Sequence, residues 1–401
     1  MTNPALLGQL TDLHEMQRDL LATREAMLCD HRPSPRLASL NWYYGRGVYL
    51  ELLWLRENLN RDDDLSQRVR HLFTEGALPL DEQCRQLPDR DHLIHWATEI
   101  RDEHIRLLAT PGALPAEHPW LQDDRLAWYL LQEQAKLYEN MLLVLYQSRL
   151  QEPDDGRYRC TEPLEPVPPA WETRELSQGH YRIGARDEPR AYDNELPPQA
   201  VELSSYRIAL TPVSNAQYLE FMRQEGYRDE TLWNEAGRSW LNEQRRDHPE
   251  YWRRDSQGNW YEIALNGATP LPPEEAVTGV SLHEAQAFAA WAGRQSELTE
   301  GAILQHEYQW EMAARSGVLT RSGRSWEWCG NPLHPYPQFE PFPDNTVSQE
   351  AFQRALHTLK GGSLHTPKVL RRASFRHWAE PDDRHHLAGI RLVFPPRHSW
   401  T

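Results

Sequence analysis

The sequence predicts an α+β protein of two parts, a four-helix bundle followed by a larger domain of modest regular structure. Three observations point there. Apolar residues recur at helical spacing through the first 150 residues, and a stretch rich in Pro, Asp, Glu and Arg follows at 151–173. Beyond it, short strand-like runs alternate with helical patterns among Gly- and Pro-punctuated, Trp-rich segments. At 401 residues the chain is long enough for two domains and a sizeable core.

Residues 4–28 carry Leu6, Leu10, Leu13, Met16, Leu20 and Leu21 among charges, which reads as an amphipathic helix ending before Pro33 and Pro35. A second helix is expected over 37–58, offering Trp42, Tyr49, Leu53 and Trp54 to a core. Pro88 and Asp89 can start a third, running through His92, His95, Ile100 and Leu107 toward Pro111, and 121–150 gives a fourth, rich in Leu, Trp and Tyr. Helices of this length with short connectors pack as a bundle over 1–150. The connector at 151–173 lacks apolar periodicity and is expected to stay extended. The second domain, 174–401, opens with strand-like runs at 179–184 and 201–210 and continues with helical patterns at 215–225, 282–293 and 307–315. Near its end Gly361 and Gly362 permit unusual backbone angles, Ser363 can hydrogen-bond locally, and 389–394 reads as a closing core strand.

Composition narrows the function classes. A formal net charge of −16 argues against a nucleic-acid or acidic-membrane partner, because a phosphate surface would repel the average field. The 16 Trp and 30 Pro, with a mean hydropathy of −0.77, describe a soluble chain whose buried area leans on aromatic rings. Cys29, Cys84, Cys160 and Cys329 form no CxxC pair and read as reduced, isolated thiols. The N-terminus has no basic region followed by a long apolar one, so a cytoplasmic location is expected.

Several motifs occur in order: Asp193-Asn-Glu-Leu-Pro197, Thr211-Pro-Val-Ser-Asn-Ala-Gln-Tyr218, Gly279-Val-Ser-Leu-His-Glu-Ala285, Trp291-Ala-Gly293, Leu304-Gln-His-Glu-Tyr-Gln-Trp-Glu311, Trp326-Glu-Trp328, Lys360-Gly-Gly-Ser363 and Gly389-Ile-Arg391. Together they resemble the sulfatase-modifying-factor superfamily. Pro335-Tyr-Pro-Gln-Phe339 and Phe375-Arg-His-Trp378 resemble, more narrowly, its branch of ergothioneine and selenoneine synthases. In that branch a DinB-like four-helix bundle precedes a C-type-lectin-like domain related to formylglycine-generating enzymes. The resemblance implies the same two-part fold here.

It also implies a chemistry that can be tested position by position. The synthases join a sulfur or selenium donor to the imidazole of a trimethylated histidine, using oxygen at a non-heme iron held by three bundle histidines. One follows a Trp by four residues on the second helix, and two come from a His-x3-His-x-Glu motif on the fourth, where i, i+4 spacing stacks both rings on one face. Here the position after Trp42 is Arg46, and matching the motif's Glu to Glu139 puts Glu133 and Leu137 where the two His belong. The tyrosine implied as acid aligns with Asp344. The thiol-holding Asn-Trp-Asp-x3-Arg segment aligns with His377, Trp378, Ala379 and Asp383, and only the Trp persists. The copper-binding cysteines of formylglycine-generating enzymes correspond to about Thr366 and Arg371, so that activity is not supported either.

A displaced metal has two candidate places. His92, His95 and His104 share the third helix but read as exposed helix histidines; Asp382, Asp383, His385 and His386 make a denser cluster that reads first as a solvated polar loop. Cys329 reads as a packed thiol, and Trp326 and Trp328 as core. The expected reading is a diverged, metal-free paralogue of the synthases without a cofactor. It would keep an interdomain pocket for a small-molecule ligand, or serve a protein partner, through Arg46, Glu133, Leu137, Asp344, His377, Trp378 and Asp383. An Arg46–Glu133 salt bridge with Leu137 packed beside it is expected to fill the vacated metal position. Two alternatives stand beside this: an active Fe(II) synthase with a relocated metal, and a metal-independent enzyme built on Glu133, Asp344 and Asp383.

Overall fold

The computed structural model describes residues 2–74, 76–153, 156, 158–186 and 188–397. Two compact units emerge, one made of the chain up to Pro153 with Thr366–Leu370, the other of the remainder.

The first unit is built on helices α1 (Pro4–Ala22), α2 (Leu40–Glu51), α3 (Arg90–Ala109) and α4 (Arg125–Gln151). The side chains of Asn3, Ser39 and Asp89 accept from backbone N–H groups in the first turns of α1, α2 and α3. Helices α1 and α2 each pack against both α3 and α4, which is the square of a four-helix bundle. The first helix stops earlier than 28. Thr23 turns its hydroxyl back onto the Asp19 carbonyl at 2.7 Å, and a separate short helix, Ala26–Asp30, follows. Beyond α2 the chain widens into a π-helical stretch, Leu52–Leu59. Two further helices, Asp64–Phe73 and Leu80–Arg85, were not expected from their charge-rich sequences. They earn their place through packing: Phe73 stacks on Tyr49 at 5.9 Å, and Trp42 donates its indole N–H to the Leu72 carbonyl at 2.8 Å. Trp54, Trp120 and Tyr129 form an aromatic core with centroids 4.5–5.4 Å apart.

The second unit holds a four-stranded sheet in the order Thr173–Leu176, Tyr206–Ala209, Leu392–Phe394, Ile303–Leu304, antiparallel throughout. A second sheet runs His377–Ala379, His357–Lys360, Trp326–Pro332, Ala388–Gly389, with the last pairing parallel. A hairpin of Gly179–Ile183 and Gln199–Leu203 and a three-stranded meander, Trp252–Arg254, Trp260–Ala264, Gly267–Pro270, complete the strands described. Helices Asn215–Arg223, Leu282–Ala292 and Glu307–Arg315 lie where periodicity put them; Glu235–Gln244 is additional.

Two expected strands are each split between sheets. The run 201–210 breaks after Leu203 and resumes at Tyr206, and the closing run divides into Ala388–Gly389 and Leu392–Phe394. Arg391 sits at the second break. Its guanidinium is wholly buried, bidentate to Glu327 at 2.7 and 2.8 Å, and it also donates to the carbonyls of Ala209 and Leu210. Gly361 and Gly362 adopt φ +96° and +84°, a region side chains resist, which lets the chain turn between buried Lys360 and buried Ser363. Part of the connector, 154, 155 and 157, lies outside the described residues. From 158 to 172 it carries no helix or strand, yet it packs along the second unit: Cys160 and Leu164 are buried and Val167 donates to the Ala216 carbonyl at 3.1 Å. No helix among the described residues is long and apolar enough to cross a membrane.

Candidate functional site

In the first unit, the three positions singled out for a metal hold something else. Arg46 is half-buried, donates to the Phe73 carbonyl, and lies 5.4 Å over the Tyr49 ring. Glu133 pairs with Lys136 one turn along α4 at 2.6 Å, and Leu137 is buried. The expected Arg46–Glu133 salt bridge is therefore not formed. Arg46 is drawn to the end of the unanticipated helix Asp64–Phe73, and Glu133 finds its cation at i+3. On the same helix, Glu139 accepts from the Thr366 hydroxyl at 2.7 Å.

The polar centre of the bundle is a set of residues that sequence reasoning passed over. Glu51, at the end of α2, is 1% exposed and accepts from His14 at 2.7 Å, from Gln134 at 2.7 Å and from His104 at 3.1 Å. Gln134 also donates to the Gly47 carbonyl, and its own side-chain oxygen accepts from Gln17 and Arg101. Arg101 bonds Gln17 at 2.7 Å, places its Nε 3.8 Å from Glu51, and stacks on the Tyr44 ring. Gly47 makes the arrangement sterically feasible, since a Cβ there would come within 2.4 Å of the Gln134 side-chain oxygen. His104 is thus buried, not the exposed helix histidine expected; His92 and His95 are exposed as expected. A cavity of about 340 Å³ reaches this network past His14, Arg18, Tyr44, Arg101 and Arg106.

Burial alone would raise the Glu51 pKa, but the surrounding donors, led by His14, outweigh it and hold the carboxyl well below the carboxylate range. Burial pushes the His14 imidazole below its ordinary 6.5. Both shifts carry the same sign. The unfolded chain takes up protons at His14 and then at Glu51 that the folded unit resists, so stability is full above about pH 7, declines first as pH falls through the ordinary His range near 6.5, and declines again below the ordinary Glu value near 4.5. A His14→Gln variant should flatten the upper part of that decline in urea titrations at successive pH values; an unchanged profile would count against the network as its origin.

In the second unit, the loop from His377 to His386 gathers most of the remaining residues of interest. Asp383 is buried, with His385 Nδ1 2.8 Å from one carboxylate oxygen and His386 Nδ1 3.1 Å from the other. The expected solvated loop is corrected to this extent: both imidazoles turn toward the same carboxylate. The His377 ring lies 5.1 Å from His386 and 4.7 Å from buried Trp326. Trp378 is half-buried against a core of Leu333, Ala351 and Leu356, and Asp344 is exposed on a turn at φ +57°. Although burial opposes ionisation of Asp383, His386 and His385 hold its pKa well below the usual value. Cys329 is a packed thiol whose pKa burial drives up, and Trp326 and Trp328 are core.

The FGE-sulfatase family, described as the sulfatase-modifying factor enzyme 1-like domain, matches residues 165–324 and 316–395. The chain belongs to this family. Hercynine oxygenase of Mycolicibacterium thermoresistibile is 31% identical over 252 residues, covering 53% of this chain and 56% of that protein. Hercynine oxygenase of Mycobacterium tuberculosis is 30% identical over 258 residues, covering 53% and 58%. Inactive C-alpha-formylglycine-generating enzyme 2 of Bos taurus is 27% identical over 172 residues, covering 40% and 53%. The chain spans about half the length of the curated relatives it matches.

For this FGE-sulfatase member, the iron implied by the resemblance does not fit at positions 46, 133 and 137. A guanidinium has donors and no lone pair to give, a leucine side chain offers no ligand atom, and the one carboxylate there is engaged by Lys136.

Proposed function

We propose that the chain is a diverged paralogue of the hercynine oxygenases that holds no iron at the three bundle positions and acts by binding, of a small molecule or as a partner subunit, rather than by oxygen-dependent bond formation. One observation carries the reading: Arg46, Glu133 and Leu137 stand in the implied ligand positions, with Arg46 and Glu133 committed to Phe73 and Lys136. The family accommodates loss of activity, since one relative is named as inactive. A reducing compartment, the cytoplasm, agrees with four buried free cysteines. The test is an oxygen-electrode assay of the full chain loaded with Fe(II) and given hercynine and a thiol donor. The expected result is no oxygen uptake above the protein-free blank. Hercynine-dependent uptake with a carbon–sulfur product would overturn the reading.

A second reading, an active synthase with a relocated metal, is favoured by one observation only: Asp383, His385 and His386 bring potential ligand atoms together in the second unit.

A further inference from the structure

We propose that Asp383, His385 and His386 form a binding site for a first-row divalent transition ion such as Zn²⁺ or Fe²⁺. One ligand atom from each residue lies within 4.8 Å of the other two. The carboxylate-to-imidazole separations of 2.8 and 3.1 Å are close to the roughly 2.9–3.4 Å between neighbouring ligands around an ion bound at 2.0–2.1 Å. Two imidazoles and one carboxylate select such an ion over Mg²⁺ or Ca²⁺, which prefer oxygen, and they leave coordination positions open to water or a ligand.

The surrounding contacts point the same way. Asp383 is an acid buried beside an arginine that does not serve it. Arg384 turns its guanidinium to Glu284 and Glu250, each at 3.0 Å, and also to the His248 carbonyl. The Asp383 carboxylate faces instead the two imidazoles, and it accepts from the backbone N–H groups of His385 and His386. Those Arg384 bonds also pin the loop. Tyr251 donates to the His385 carbonyl, Asp383 N–H bonds the Glu380 carbonyl at 3.0 Å, and His385 N–H bonds the Asp383 side chain at 3.0 Å, so both imidazoles start from a fixed backbone. Binding through Nδ1 requires only that each ring carry its proton on Nε2, with no net proton released from neutral histidine.

The experiment is titration of the untagged, chelator-treated full chain with Co²⁺, followed by its visible ligand-field bands, and with Zn²⁺ by calorimetry. One ion per chain is expected for the wild type. Affinity should fall at least ~100-fold in His385→Ala/His386→Ala and stay unchanged in His92→Ala/His95→Ala, whose imidazoles are exposed on the bundle. Circular dichroism checks that each variant is folded, and His385→Gln/His386→Gln serves if the alanine pair is not. Absence of Co²⁺ binding would overturn the proposal, as would binding that survives both loop variants. The proposed function does not decide this: an ion at the bundle positions would survive the loop variants, whereas an ion on this loop would not.

Discussion

Replacing Glu51 by alanine lowers the unfolding free energy of the bundle by about 3–5 kcal/mol. The side chain is 1% exposed and is the common acceptor for His14, His104 and Gln134, with Arg101 close behind. Deleting it leaves a buried guanidinium without its counter-charge and donors without an acceptor. Glu51→Gln keeps the volume and one acceptor oxygen, so its cost should be smaller, about 1–3 kcal/mol. Urea unfolding followed through tryptophan fluorescence, which reports Trp54 and Trp120 among others, gives both values. An alanine variant as stable as the wild type would mean that the carboxylate is not what balances the network.

Arg391→Met has an effect of the same order, about 3–5 kcal/mol, in the second unit. Arg391 joins the two sheets: it is bidentate to Glu327 on Trp326–Pro332 and reaches the carbonyls of Ala209 and Leu210 at the end of the neighbouring sheet's strand. Without it, Glu327 keeps the Trp310 indole donor at 2.7 Å but loses its buried cation. Arg391→Lys is not a conservative change, because one ammonium cannot make the paired bonds and also reach two carbonyls; a cost of about 1.5–3 kcal/mol is expected. Thermal melts of the two variants should rank them in that order, and equal melts would show that charge alone, not the geometry of the guanidinium, holds the junction.

The elements legible in the sequence are those whose local signal agrees with their packing. The helix Glu307–Arg315 and the bundle helix α3 announce themselves by apolar spacing and a capping residue, Asp89 in the second case. The helix Asp64–Phe73 was illegible because what anchors it is tertiary: Phe73 and Leu72 pack against aromatic residues of another helix, and Ser66 and Arg70 bond Glu57. Strand ends were misplaced for a similar reason: Arg391 looks like part of an apolar run, but its partner, Glu327, is 64 residues away. Of the candidate site, Arg46, Glu133 and Leu137 differ in the sequence from the implied iron ligands, but the expected Arg46–Glu133 pairing does not form, because a nearer partner was available to each of the two. The Glu51 network did leave a trace. His14 and Gln17 interrupt the apolar stripe of Leu10, Leu13 and Leu21, and Glu51 lies between Leu50 and Leu52, so polar residues on a core-facing stripe were the signal to follow.

The central claim is that this family member carries no metal at positions 46, 133 and 137. It is tested most directly by the iron content of His385→Ala/His386→Ala protein, loaded anaerobically with Fe(II) and desalted. With the loop ligands removed, the account predicts that no iron is retained. One iron per chain in that variant would contradict it.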